Sequence, residues 1–418
     1  MTSAPAPTPA AEPDSWRTPF VIITCGCLIG LLSFGPRSVV GMFFLPISNE
    51  HGWGRDVLSM TIAIQNLLWG VGQPFVGAIA DRLGTLRVFW IGAVMYGVGL
   101  ATMTLPLDPL AMHLISGTLV GFGLAGVSFN LVLACFGKLL PEAKRPVALG
   151  MGTAASSFGQ FVFAPLTPLL ISALGWKTAL LVISMVTALI IPLAIALATD
   201  PKRGVGVGTG EEKTIAATLK EAFTHPSYVF LVIGFFTCGF QLAFITTHFP
   251  AYLADLKIPA YIGGWALALI GLFNIVGSVT SGWLMTRMSK RWLLAWLYFA
   301  RAGVVLMLLM LPPSPALALV FAATMGLLWL STVPPTSALV ALMFGTRYMA
   351  MLYGFAFFSH QVGGFLGVWL GGVLYERTGS YDIVWWLGIL FAIGSGLINI
   401  PIKEAPVPRP DPALAPAR

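Results

Sequence analysis

"GAIADRLGTLR", Gly77 to Arg87, is a short polar turn between two long apolar runs, and a degenerate copy, "GWLMTRMSKR", spans Gly282 to Arg291. A second pair keeps the same separation: "GPRSVVGMFFLP" (Gly35–Pro46) and "GFQLAFITTHFP" (Gly239–Pro250) lie about 204 residues apart. Two pairs at one spacing point to a duplicated unit. In this alignment Arg37 matches Gln241, which predicts both side chains at equal depth, facing the interface between the halves.

The surroundings of these motifs identify the solvent. Of 418 residues, 57% are hydrophobic and 9% charged, and the mean hydropathy is +0.86. Soluble domains carry about 25% charged residues. The chain reads as a polytopic membrane protein in a lipid bilayer. A bilayer core of about 30 Å needs roughly 20 apolar residues per helix. Breaks at Pro, Gly and charge clusters then give twelve spans: 18–46, 56–80, 87–106, 109–137, 146–174, 178–199, 226–254, 260–285, 291–312, 314–344, 346–375 and 381–402. The expected organisation is a disordered tail (1–17), a six-helix bundle (18–199), a Gly-rich and then amphipathic connection (200–225), a second bundle (226–403) and a second tail (404–418).

Charge sets the expected orientation. The net charge is +7, but the basic residues lie in short loops rather than in a patch, which excludes a nucleic-acid partner. Lys/Arg bias places both termini in the cytoplasm and leaves only Arg55, Lys177, Lys257 and Arg377 outside. Arg37 and Arg301 fall within the membrane, where no Asp or Glu accompanies them: all sixteen acids lie in tails, loops or helix ends. Cys25, Cys27, Cys135 and Cys238 sit in apolar runs and read as packing residues. The first apolar run is too long for a signal-peptide core and reads as a retained span. No nucleophile–base pair, metal cluster or phosphate loop is spaced for catalysis, so neither an enzyme nor a cofactor is expected.

Twelve spans divided six plus six, with Gly77-x-x-x-Asp81-Arg82-x-Gly84 and Arg87 after the second, resemble the major facilitator superfamily. In such a gating motif Gly77 and Gly84 would allow close helix approach and a tight turn, and Asp81 would cap a helix or meet a base as the gate closes. Three stretches narrow the resemblance: "GPRSVVGMFFLPISNEHGWGRDVLSM", "GMGTAASSFGQFVFAPL" and "SHQVGGFLGVWLGGVLYERTGSY" are similar to bacterial monocarboxylate transporter and oxalate/formate antiporter members. The chain departs from that group in having no charge in span 8 and His360 with Gln361 in span 11, where oxalate exchangers have a lysine. The Gly-Pro-rich motif of multidrug antiporters in span 5 is absent.

The resemblance implies alternating access in a bacterial inner membrane by a monomer, with spans 1, 4, 7 and 10 lining a cavity. Substrate-binding candidates are Arg37, Gln241, Asn130, Gln65, His360 and Gln361. A guanidinium at bilayer depth costs at least about 2.5–3.5 kcal/mol, and it matches a carboxylate bidentately. Arg301, in a peripheral span, reads as structural. Trp69, Phe129, Phe240, Phe249, Phe358 and Trp329 are candidate cavity walls. Because an inside-negative potential opposes anion entry by about 2.3 kcal/mol per 100 mV, uptake needs a proton or an exchanged anion. His360 and His248 are the coupling candidates, since imidazole titrates near neutral pH. The expected activity is proton-coupled uptake or exchange of a small carboxylate; the alternatives are uptake of a larger neutral planar solute and export of a metabolite or drug.

Overall fold

A computed structural model describes residues 16–199, 215–345 and 349–407, so most of both tails and the first part of the 200–225 connection lie outside the described residues. Its long helical spans follow the twelve runs. In the first half they are α1 (Pro19–His51), α2 (Arg55–Leu83), α3 (Thr85–Thr102), α4 (Pro109–Leu139), α5 (Arg145–Leu174) and α6 (Trp176–Leu197). In the second they are α7 (Pro226–Asp255), α8 (Ala260–Leu284), α9 (Lys290–Met310), α10 (Pro315–Phe344), α11 (Met349–Thr378) and α12 (Asp382–Asn399). A short helix, Ile215–Thr224, precedes α7. Eleven have the length and hydropathy of a membrane crossing. The other, α2, is diluted by Gln65, Asn66 and Gln73, yet its 29 residues span about 44 Å at 1.5 Å each.

One end differs from expectation for a definable reason. α1 continues through Pro46 to His51, because a 3-10 turn at Val40–Phe43 restarts the helix and puts Pro46 in a first turn, where no N–H is needed. Gly52, at φ 65°, then closes the helix with its N–H on the Ser48 carbonyl.

Helix pairing repeats between the halves. α1 packs on α5 as α7 does on α11, α2 on α4 as α8 on α10, and α3 on α6 as α9 on α12. Two further pairs join the halves: α2 with α11, and α5 with α8. Large apolar side chains such as Met185, Leu390, Val279 and Trp296 remain exposed. In water this would be an aggregation surface; here it is the face that meets acyl chains.

The repeat extends to a defect. α4 breaks at Val127–Ser128 and α10 at Trp329–Thr332, which the duplication places opposite one another. In α10 the cause is Pro334 and Pro335, which cannot donate to the carbonyls four residues back. The freed groups have partners: Ser281 donates to the Ser331 carbonyl at 2.5 Å, and the Leu330 N–H donates to Asn274 Oδ1 at 3.0 Å. Irregular backbone at membrane depth is tolerated only when satisfied in this way. Each break begins a new half-helix, Phe129–Leu139 and Val333–Phe344, whose positive N-terminal end lies at mid-depth.

The two ends of the bundle differ. At the face opposite the one where α1 begins, α2 and α11 touch so closely that a Cβ on Gly372 would lie 2.2 Å from Ser59 Oγ. Toward the face carrying Arg17, Arg82, Lys138 and Lys290, the same helices separate, and a Cβ on Gly77 or Gly354 would meet nothing within 4 Å. The molecule is sealed at the first face and parted at this basic face.

Candidate substrate site

The space between the halves is a cavity of about 330 Å³, and its lining residues come from the middle of the helices and their basic-face portions. Its walls are aromatic and aliphatic, with Phe34, Trp69, Phe129, Phe235, Trp329 and Phe357 prominent. Arg37 is the only charged residue of the lining among the described residues.

Arg37 is 7% exposed. Its Nη2 donates to Asn66 Oδ1 at 2.5 Å, and its Nε has no partner among the described residues. Asn66 is held in turn, its Nδ2 donating to the Ile62 carbonyl at 3.1 Å. Gln361 Nε2, on α11, donates to the Asn66 carbonyl at 3.1 Å, so this polar chain crosses between the halves. That bond turns Gln361 Oε1 toward His360, whose Nδ1 lies 2.9 Å away and must therefore be the donor. Neutral His360 then presents a bare Nε2 lone pair, and Nε2 is a buried atom without a hydrogen-bond partner among the described residues. Asn130 also lines the cavity, at the start of the α4 half-helix, where the first amides of a helix lack intrahelical acceptors. A cation with spare donors beside a positive helix end is suited to an anion.

Four sequence candidates thus meet at the cavity: Arg37, Asn130, His360 and Gln361. Gln241 does not join them. It donates to the Gly388 carbonyl of α12 at 3.0 Å, while Leu242 and Ala243 take the cavity-facing positions. One residue of helix is about 100° of rotation, so the duplicated halves agree in depth but not in facing. Gln65 is wholly buried outside the lining, with both amide atoms lacking partners among the described residues. Of the aromatic candidates, Trp69, Phe129 and Trp329 line the cavity; Phe240 and Phe249 pack against Phe391 and Trp385, and Phe357 lines it in place of Phe358.

Arg301 is fully buried between α9 and α10. Its Nε and Nη2 donate to the Leu328 carbonyl at 3.2 and 2.6 Å, and Nη2 also reaches the Trp329 carbonyl and, at 3.5 Å, Cys238 Sγ. The guanidinium therefore plugs the α10 break. His248 is equally committed: Nε2 donates to the Val368 carbonyl at 2.9 Å, and Nδ1 accepts from Tyr381 Oη at 3.2 Å. It belongs to the seal, away from the cavity.

The seal contains residues that sequence reasoning left in outer loops. Arg55, heading α2, makes a bidentate pair with Asp255 at 2.7 Å and donates to Tyr381 Oη at 2.9 Å. Its backbone N–H donates to Glu376 Oε1 at 2.6 Å, and its guanidinium stacks 3.7 Å above the Tyr375 ring. One residue of the first half thus binds the ends of α7, α11 and α12. Its position as the lone basic residue between spans 1 and 2 was the available signal.

In the gating motif Gly84 makes the α2–α3 turn at φ 86°. The close approach expected at Gly77 is absent in this conformation, because the helices have parted there. Arg82 and Arg87 are exposed on the basic face, and the Asp81 side chain lies outside the described residues.

Comparisons with known proteins agree with this architecture. The profile of the Major Facilitator Superfamily matches residues 26–368. A Bacillus subtilis relative, the uncharacterized MFS-type transporter YcxA, is 26% identical over 394 residues, 89% of this chain and 91% of its own. Monocarboxylate transporter 13 of Bos taurus is 26% identical over 94% of this chain and 91% of its own. Human monocarboxylate transporter 11 is 23% identical over 96% and 86%. The crystal structure of a D-xylose-proton symporter superposes with a TM-score of 0.71 at 15% identity, covering 93% of this chain and 98% of that one. With its duplicated bundles, central cavity and opposed seal and opening, the chain is a multi-pass membrane transporter and belongs to the Major Facilitator Superfamily.

Proposed function

We propose that this transporter carries a monocarboxylate by alternating access, with Arg37 as the receptor for the carboxylate. One observation carries the reading: among the described residues, the cavity's single charged side chain is a guanidinium whose only hydrogen bond is to the Asn66 amide. Its remaining donors match the two oxygens of a carboxylate. The relatives named as monocarboxylate transporters support the same class. The basic face is cytoplasmic, in keeping with the Lys/Arg bias, and the conformation described is the inward-facing one in a bacterial inner membrane. A proton enters with the substrate on His360 Nε2, offsetting the charge that the membrane potential opposes.

The aromatic walls also suit a neutral planar solute, which is the second reading. Uptake into proteoliposomes, wild type against Arg37→Gln, separates the two. Saturable carboxylate uptake that the substitution abolishes is expected. Uptake indifferent to Arg37, or confined to neutral solutes, rejects the proposal.

A further inference from the structure

The walls around Arg37 narrow the substrate further, provided the carboxylate reading above holds. Much of the wall around the guanidinium is aromatic and aliphatic surface. Trp69 of α2 and Phe357 of α11 meet edge to face from opposite halves, their centroids 5.5 Å apart. The Trp69 indole N–H is already committed to Gln73 Oε1 at 3.2 Å, which leaves the cavity only its apolar surface. Phe357 lies parallel to the His360 imidazole at 5.6 Å and 7°, and Phe235 also meets that imidazole, tilted, at 5.1 Å.

Three properties of the solute follow. It carries one carboxylate, because Arg37 is the one permanent cation of the lining among the described residues and a second carboxylate would have no fixed counter-charge there. Its body is apolar and flat, since aromatic walls favour ring faces and edges. Its size exceeds that of a two- or three-carbon acid: an apolar cavity of roughly 150 Å³ takes one benzene ring, and this one has about 330 Å³. Acetate or lactate would leave most of the aromatic wall against water.

We infer that the substrate is an aryl monocarboxylate, its carboxylate on Arg37 and its ring against the Trp69–Phe357 pair, where the two halves of the transporter meet. Because these two side chains belong to opposite halves, a ring resting on the pair touches both at once. A small acid would bind Arg37 of the first half alone and draw the halves together less.

The test is binding to purified protein in nanodiscs by calorimetry, using phenylacetate, acetate and phenylacetamide on wild type, Trp69→Leu, Phe357→Leu and Arg37→Gln. Phenylacetate is expected to bind at least tenfold more tightly than both acetate and the amide. Each ring substitution should erode the advantage over acetate by about two- to tenfold, the strength of one aromatic contact. Trp69→Phe and Phe357→Tyr, which keep a ring in place, should retain it and guard against misfolding of the leucine variants. If acetate binds as tightly as phenylacetate, the aryl inference fails while the carboxylate reading survives. If phenylacetamide matches phenylacetate and Arg37→Gln changes neither, the carboxylate reading fails as well. Binding of none of the three also overturns the inference.

Discussion

Arg37 and Arg301 are the same side chain at similar depth in the same bilayer, and their surroundings are opposite. Arg301 is fully buried, with its donors on two carbonyls and a sulfur at the α10 break. Arg37 is almost as buried, but it donates to one amide oxygen and otherwise borders a cavity. Among the described residues neither has an acidic partner, so charge pairing does not distinguish them. What distinguishes them is how much donor capacity the protein itself consumes. A buried cation held by several backbone carbonyls ties a fold together, whereas one with a single bond and a place on a cavity wall is available to a ligand.

The largest expected effect comes from Arg301, the more heavily bonded member. Arg301→Gln leaves the Leu328 and Trp329 carbonyls short of donors at membrane depth, and a loss of about 3 kcal/mol of stability is expected. Thermal melting in detergent measures it, and a melt equal to wild type would remove the contrast between the two arginines. Arg37→Gln should do the reverse. Carboxylate binding falls about a hundredfold, near 2.7 kcal/mol, while the unliganded melting temperature holds or rises, because a costly buried charge is gone. A variant that loses binding and stability together would make Arg37 a second Arg301.

A smaller effect is expected at the seal. Arg55→Leu removes the bidentate bond to Asp255, the Tyr381 contact and the cation–π stack. These hold the sealed face closed, and a shift of about 1–2 kcal/mol toward opening there is expected. Alkylation of Ser59→Cys, in a background without the four native cysteines, should quicken roughly tenfold; an unchanged rate would mean that helix packing alone keeps the seal. The smallest effect on binding belongs to His360→Gln. Accumulation driven by a proton gradient should be lost, while exchange of labelled for unlabelled substrate persists within a fewfold. Equal loss of both would make His360 part of the binding wall rather than the coupling group. His248→Gln, by contrast, should leave coupling intact, because both ring nitrogens of His248 are already engaged in the seal.

Much of this was legible before any coordinates. Periodicity of apolar runs, the duplicated motifs and the scarcity of charge suffice for twelve helices in two related halves, because lipid leaves a backbone few options. The same scarcity made Arg37 and Arg301 conspicuous, and four of the six binding candidates do reach the cavity. The failures share one form. Gln241 matched Arg37 in depth yet turns to α12, and Phe357 stands where Phe358 was expected. Depth is written in residue count, whereas facing depends on rotations of about 100° per residue, and how far each helix is turned about its axis is fixed by its packing rather than by its length.

The chain's own order of residues was therefore enough for the solvent, the number of helices, the pairing of halves and the rarity of buried charge, all of which are local or additive properties. It could not say which arginine is spent and which is free, or that Arg55 would find Asp255, Glu376 and Tyr381 two to three hundred positions away. Those outcomes depend on which donors meet which acceptors once the two halves pack, and hydrogen-bond satisfaction is a property of the assembled neighbourhood rather than of any segment within it.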